Sequence, residues 1–255
     1  MRRIAAIPLL ERWLIVTLDG PADATQGWVF VVGGTQTRVG PHRLYERLAA
    51  RLAERGEAVI RFDRRGVGDS PPPSQALDYL GIAPDIAAAT AALREAFPKL
   101  ARISGFGLCD GATALALHGR AAGIDRLVAA NPWVVEPTDD LPPAAAIRGY
   151  YGRRLLDPAA WGKLLRGGVD FGRLARGVMR STMRDDPTLA DRFAKGLPKD
   201  RRIILAEGDG TAQAFEGAWR QLRGAPPIDI VRIDTASHSF AGTDAFAALL
   251  KAIGE

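Results

Sequence analysis

Arg102-Ile103-Ser104-Gly105-Phe106-Gly107-Leu108-Cys109-Asp110-Gly111 is the stretch on which the reading of this chain turns. Arg102–Leu108 reads as a strand and Gly111–His118 as a helix. Between them Gly107 and Gly111 stand two positions either side of Cys109, the spacing of a nucleophile set on a sharp turn from strand to helix. Such a turn is strained, so its flanking residues must be small. It lifts the Cys109 sulfur clear of the sheet. It also aims the N–H of Asp110, at the start of the helix, toward the place where an oxyanion would form. A helix N-terminus favours thiolate over thiol as well. The ordinary fate of a lone cysteine is that of a small buried hydrophobe, but the paired glycines and the strand-to-helix context favour the nucleophile. Gly105, Gly107 and Gly111 do not form a dinucleotide fingerprint. The third glycine would have to stand at Asp110, and Ala129-Ala130 occupy the place of the ribose-binding acid.

Working outward, short apolar runs alternate with helical patterns. Strands are expected at Arg12–Leu18, Trp28–Val32, Ala58–Phe62, Arg126–Ala130, Arg202–Ala206 and Ile228–Ile233. Helices are expected at Pro41–Arg55, Ile82–Phe97, Thr211–Arg223 and Asp244–Ile253. The alternation predicts an α/β fold with a mostly parallel sheet flanked by helices. In such sheets the active groups lie beyond the carboxyl ends of the strands. Residues 134–200 interrupt the pattern and read as an inserted helical cap, leaving 1–133 and 201–255 as the core. Within that span Arg148–Arg184 carries nine basic residues against two acidic ones, an excess of +7. The excess reads either as a solvated face or as attraction for an anionic acyl substrate or a peripheral membrane surface, since Tyr150, Tyr151 and Trp161 lie among the charges.

Three further loops fall at strand ends. Phe62-Asp63-Arg64-Arg65-Gly66-Val67-Gly68-Asp69-Ser70 needs its glycines for a tight turn, while Asp63 and Arg65 can tie it; its role reads as structural. Gly33-Gly34-Thr35-Gln36 is expected to supply the second oxyanion N–H, from Thr35 with Gln36 as the alternative. His238 lies between the last strand and the last helix, where a general base belongs if the chain order is nucleophile, acid, histidine. Asp209, directly after the strand that resumes behind the cap, is the expected acid, with Glu207 and then Asp234 as rivals. The acid would hold the imidazole in one tautomer and stabilise imidazolium. His42, Trp133, Arg153 and Arg154 are candidate substrate contacts, and His118 reads as packed or solvated.

The bulk composition excludes several classes. Of 255 residues 47% are apolar and 25% charged, with a net charge of +5, ordinary for a folded domain. One cysteine permits neither an internal disulfide nor a Cys-pair zinc site, and the count suits a reducing compartment. The three histidines lack metal-ligand spacing, so no metal and no cofactor is expected. Nucleic-acid binding has no recognisable module here. The apolar run up to Leu10, broken by Pro8, is too short for a signal peptide, and nothing reaches the length of a membrane span. A cytoplasmic protein is the expectation, of undetermined oligomeric state.

GLCDG around Cys109, FDRRGVGDS, GGTQTRVGPHR, ANPW at Ala130–Trp133, LPPAAAIR at Leu141–Arg148 and AEGDGTAQAF at Ala206–Phe215 together resemble the first type of exosortase-A-system-associated hydrolase. These are bacterial α/β-hydrolase-superfamily proteins encoded with exopolysaccharide and exosortase machinery. The resemblance implies the α/β-hydrolase fold with a cap and a Cys109–Asp209–His238 triad. The combination of cysteine, histidine and aspartate is also similar to that of dienelactone hydrolase. The residues point to hydrolysis of an ester, thioester or lactone through an acyl-cysteine. The alternatives are acyl transfer on the same triad, and a non-catalytic scaffold that meets partners through the basic cap.

Overall fold

Alternation along the central strands divides the interior into two cores. On β3 (Gln26–Val31) Trp28 and Phe30 face one helical layer, while Val29 and Val31 face the other. On β7 (Asp200–Ala206) Ile204 and Ala206 lie on the first side, Ile203 and Leu205 on the second. Strands buried on both faces read as unbroken apolar runs, which is why these segments are legible. The computed structural model describes residues 2–73, 81–135 and 187–254.

The eight strands form one sheet. In chain order they are β1 (Arg2–Leu9), β2 (Arg12–Asp19), β3, β4 (Ala58–Phe62), β5 (Arg102–Leu108), β6 (Arg126–Ala130), β7 and β8 (Asp229–Ile233). Their spatial order is β1-β2-β4-β3-β5-β6-β7-β8. β1 and β2 run antiparallel, as do β2 and β4; every other neighbouring pair is parallel. The expected α/β architecture with a mostly parallel sheet is therefore present. β1 is an addition that the apolar run to Leu10 did not announce. Its Pro8 lacks a ladder donor, and β1 tolerates it as an edge strand.

One face is covered by α1 (Leu44–Glu54) and α6 (Thr243–Gly254). The other is covered by α2 (Ala83–Ala96), α3 (Asp110–His118), α4 (Leu189–Gly196) and α5 (Gly210–Gln221). The four-residue spacing of Leu44, Leu48 and Leu52 puts all three in the core. Burying each contributes roughly 1.5–3 kcal/mol. The helix expected from Pro41 begins instead at Leu44. Pro41–Arg43 is a 3₁₀ turn in which His42 and Arg43 have φ of 50° and 60°, outside the α region.

The cap expected over 134–200 falls largely outside the described residues. At the described end of that span α4 packs on α3, with Phe193 stacked edge-on against Phe215 and Trp219. A capping box between Thr188 and Asp191 starts this helix. The loop after β4 is tied as its sequence suggests: the buried Asp63 accepts from the amides of Arg38 (2.6 Å) and Asp69 (3.0 Å) and pairs with the Arg38 guanidinium. Arg65 pairs with the buried Asp85 at 2.9 Å.

Candidate active site

The carboxyl ends of β3, β5, β6, β7 and β8 converge on Cys109. It is the N-cap of α3 and holds φ 59° and ψ −127°, a strained conformation for a residue with a side chain. Its neighbours over-determine that geometry. Its N–H donates to the Ala130 carbonyl at 3.0 Å, and its own carbonyl accepts from Ala112 (3.1 Å) and Trp133 (3.3 Å). The flanking glycines are required by space: a Cβ on Gly107 would lie 2.6 Å from the Ala112 nitrogen, and one on Gly111 would collide with the Val31 carbonyl oxygen.

His238 comes from the loop between β8 and α6. Its Nδ1 lies 3.0 Å from Asp209 Oδ2, and its ring and Cys109 line the same cavity. With Nδ1 engaged by the carboxylate, Nε2 is left for the sulfur. The hydrogen bond to Asp209, then the neighbouring Cys109 side chain, pushes the imidazole up to about 10, against the opposing effect of burial. Asp209 is itself fixed as the N-cap of α5, where its Oδ2 accepts the Ala212 N–H at 3.1 Å. Of the rivals for the acid, Glu207 and Asp234 are exposed and Asp209 is buried. The structure thus brings Cys109, His238 and Asp209 together, and leaves Glu207 and Asp234 out.

The loop after β3 lies against the elbow. Both carboxylate oxygens of Asp110 accept the Gly34 N–H, at 2.7 and 3.0 Å, and the Gln36 N–H closes a turn onto the Gly33 carbonyl at 3.3 Å. The N–H of Thr35, between these two, has no acceptor among the described residues. The Thr35 side chain is exposed. Asp110 contributes more than its backbone N–H: its carboxylate holds the Gly34 amide, and burial pushes its carboxyl above the usual carboxylate range.

A cavity of about 420 Å³ opens over the sulfur. Its walls include Val32, Gln36, Pro41, Leu108, Trp133 and Ser239, so the surface around the reacting atoms is largely apolar. Trp133 is where the sequence reading placed it. His42 is not: it is exposed and outside the wall, because the 3₁₀ turn presents Pro41 to the cavity instead. Arg153 and Arg154 lie outside the described residues.

Sequence reasoning missed two wall residues and one buried link. Ser239 is buried beside His238 and lines the cavity. Tyr45 lies under the site, its hydroxyl donating to the Val31 carbonyl and accepting the Leu108 N–H, each at 2.9 Å, and burial pushes its phenol up. It packs in an aromatic cluster with Phe30 and Phe106, centroids 5.6 and 5.5 Å away. The third is the side chain of Asn131. No group of His, Cys, Asp and Glu among the described residues could hold a metal ion, and no described helix is long and apolar enough to cross a membrane.

No protein-family model and no curated protein matches this chain. Among solved structures it is similar to DcsB in complex with its substrate analogue, at 14% identity over 100% of this chain and 97% of that one, with a TM-score of 0.66. It is also similar to a dienelactone hydrolase from Anabaena variabilis, at 16% identity over 98% and 94% of the two chains and a TM-score of 0.59. A serine hydrolase without lid from Xanthomonas campestris is 17% identical over 93% and 86%, with a TM-score of 0.58. These likenesses show the α/β-hydrolase fold.

Proposed function

We propose that this protein is a hydrolase of an ester, thioester or lactone that works through an acyl-Cys109 intermediate. One observation carries the reading: a cysteine held in a strained elbow shares a cavity wall with a histidine whose Nδ1 lies 3.0 Å from a buried carboxylate. His238 takes the Cys109 proton, and the thiolate attacks the substrate carbonyl carbon. The developing oxyanion is met by the amides of Asp110 and Thr35. Collapse expels the alcohol or thiol, which takes its proton from His238. His238 then deprotonates a water, which attacks the acyl-cysteine and releases the carboxylic acid and the free thiol. Asp209 keeps Nδ1 protonated throughout and stabilises the imidazolium.

The apolar wall of the cavity suits the acyl portion of such a substrate. The fold neighbours include a dienelactone hydrolase, which supports the lactone class. The sequence likeness to exosortase-A-system-associated hydrolases supports a substrate from exopolysaccharide assembly, and the basic segment around Arg153 and Arg154 supports an anionic one.

The test pairs short p-nitrophenyl esters with acyl-CoA thioesters, in wild type and Cys109→Ala. Turnover of at least one class is expected, with loss to background in the variant, and the wild type should show a transient acyl adduct on Cys109 by mass spectrometry after rapid quenching. Wild-type turnover retained in Cys109→Ala would remove the mechanism. Absence of turnover, together with iodoacetamide reactivity at Cys109 no faster than that of free cysteine, would remove the enzymatic reading.

A further inference from the structure

The Ala130-Asn131-Pro132-Trp133 stretch has so far supplied one cavity wall, Trp133. Asn131 touches no substrate space: it is fully buried, at the end of β6, and takes φ 41°, a conformation that asparagine tolerates better than most residues. Its side chain is fully engaged in two directions. Oδ1 accepts the N–H of Ala206 at 2.8 Å, and Nδ2 donates to the carbonyl of His238 at 2.9 Å. The orientation of the amide is unambiguous, because one partner is a donor and the other an acceptor. Its backbone N–H donates to the Ile204 carbonyl at 2.9 Å.

The two partners are the roots of the histidine and the acid. Ala206 ends β7, and its carbonyl accepts the Asp209 N–H at 3.0 Å in the turn that presents the carboxylate. The His238 carbonyl belongs to the residue whose ring faces both Asp209 and Cys109. The same stretch also holds the nucleophile, through Cys109 N–H to Ala130 and Trp133 N–H to Cys109, and the Thr113 hydroxyl donates to the Trp133 carbonyl.

We infer that Asn131 is a positioning residue that sets the distance between the base, the acid and the nucleophile by clamping the histidine loop to the end of β7. The inference rests on the reading of Cys109, His238 and Asp209 as a triad. A buried amide clamp suits this task. The loop from Asp234 to Gly242 is otherwise tied mostly to itself, as in Phe240 N–H to Ser237 and Ala241 N–H to the Ser237 hydroxyl. The Gly208 N–H also ties the loop at the Thr235 carbonyl (3.0 Å) and Phe240 anchors it in the core, but the Asn131 bond is the one that holds the backbone of His238 itself.

The experiment follows kcat and KM on the best ester or thioester, and the rate of Cys109 alkylation by iodoacetamide at neutral pH, in wild type, Asn131→Gly and Asn131→Ala. Glycine keeps the positive φ while deleting both side-chain bonds, and alanine deletes the same bonds while keeping a Cβ. The titratable groups around the sulfur, His238, Asp110 and Tyr45, are unchanged in both variants. Folding is checked by circular dichroism and Tm. Wild type should alkylate faster than free cysteine at neutral pH. The variants should alkylate more slowly, and kcat on any ester substrate should fall by about tenfold or more with KM within about twofold, as for a small misplacement of reacting groups.

Wild-type alkylation no faster than that of free cysteine would overturn the triad reading itself. Fast wild-type alkylation that stays unchanged in a folded variant, with kcat unchanged, would overturn the inference alone. Failure of both variants to fold would also overturn it, since Asn131 would then serve the fold and not the geometry of the triad.

Discussion

The carboxylate of Asp110 grips the backbone N–H of Gly34 with both oxygens, at 2.7 and 3.0 Å, so the residue after the nucleophile holds the loop that flanks it. That leaves the neighbouring N–H of Thr35 without an acceptor among the described residues. It also sets a negative charge beside the place where an oxyanion would form, and that charge is partly desolvated.

The tether and the charge have opposite consequences, which substitution separates. Asp110→Asn keeps an acceptor for Gly34 and removes the charge, so kcat should stay within about threefold of wild type. Asp110→Ala releases the loop and should lower kcat on the order of 10–10²-fold, somewhat less than deletion of one oxyanion donor. Steady-state kinetics on the best ester or thioester decide between them. Equal losses in both variants would make the charge, not the tether, the important feature.

Asp209→Asn removes the first cause of the raised His238 pKa. The histidine midpoint, followed by NMR of the ring protons, should fall from about 10 toward the ordinary value near 6.5. Turnover should fall on the order of 10³-fold, because the amide favours the wrong tautomer. Glu207→Gln should change neither, since that side chain is exposed.

The same shift predicts a pH dependence of stability. A histidine whose folded pKa is raised contributes stability that is fully present below its unfolded pKa of about 6.5. That contribution declines as pH rises further and is lost by about 10. Tm measured from pH 6 to 10.5 should therefore decline more steeply in wild type than in His238→Gln. Parallel curves would show that the His238–Asp209 contact adds no stability.

Tyr45→Phe deletes a hydroxyl that serves two buried backbone groups, the Val31 carbonyl and the Leu108 N–H. Each is left unpaired, so a loss of about 1–3 kcal/mol is expected, seen as a Tm lowered by several degrees. Both groups precede the loops around Cys109, so alkylation of Cys109 should slow as well. An unchanged Tm would mean that water replaces the phenol.

The sequence by itself determined what local sterics and chain order dictate. Gly107 and Gly111 are demanded by close approach of backbone within and beside the elbow, so their spacing around Cys109 marks the turn without knowledge of the rest. Strands such as β7 announce themselves because both faces are buried, and His238 follows because it alone lies between the last strand and the last helix. β1 stayed hidden because Pro8 is a poor strand residue everywhere except at a sheet edge, and whether a strand is an edge is a property of the whole sheet. The choice of Asp209 over Glu207 was likewise tertiary. Both follow β7, and only the turn that makes Asp209 the cap of α5 buries its carboxylate against the histidine. His42 fell outside the cavity because a 3₁₀ turn, not the start of a helix, precedes α1. Asn131 gave no sign of its contacts. Its partners are backbone groups at Ala206 and His238, 75 and 107 residues away, and a hydrogen bond to a backbone atom leaves no trace in the identity of the residue that offers it.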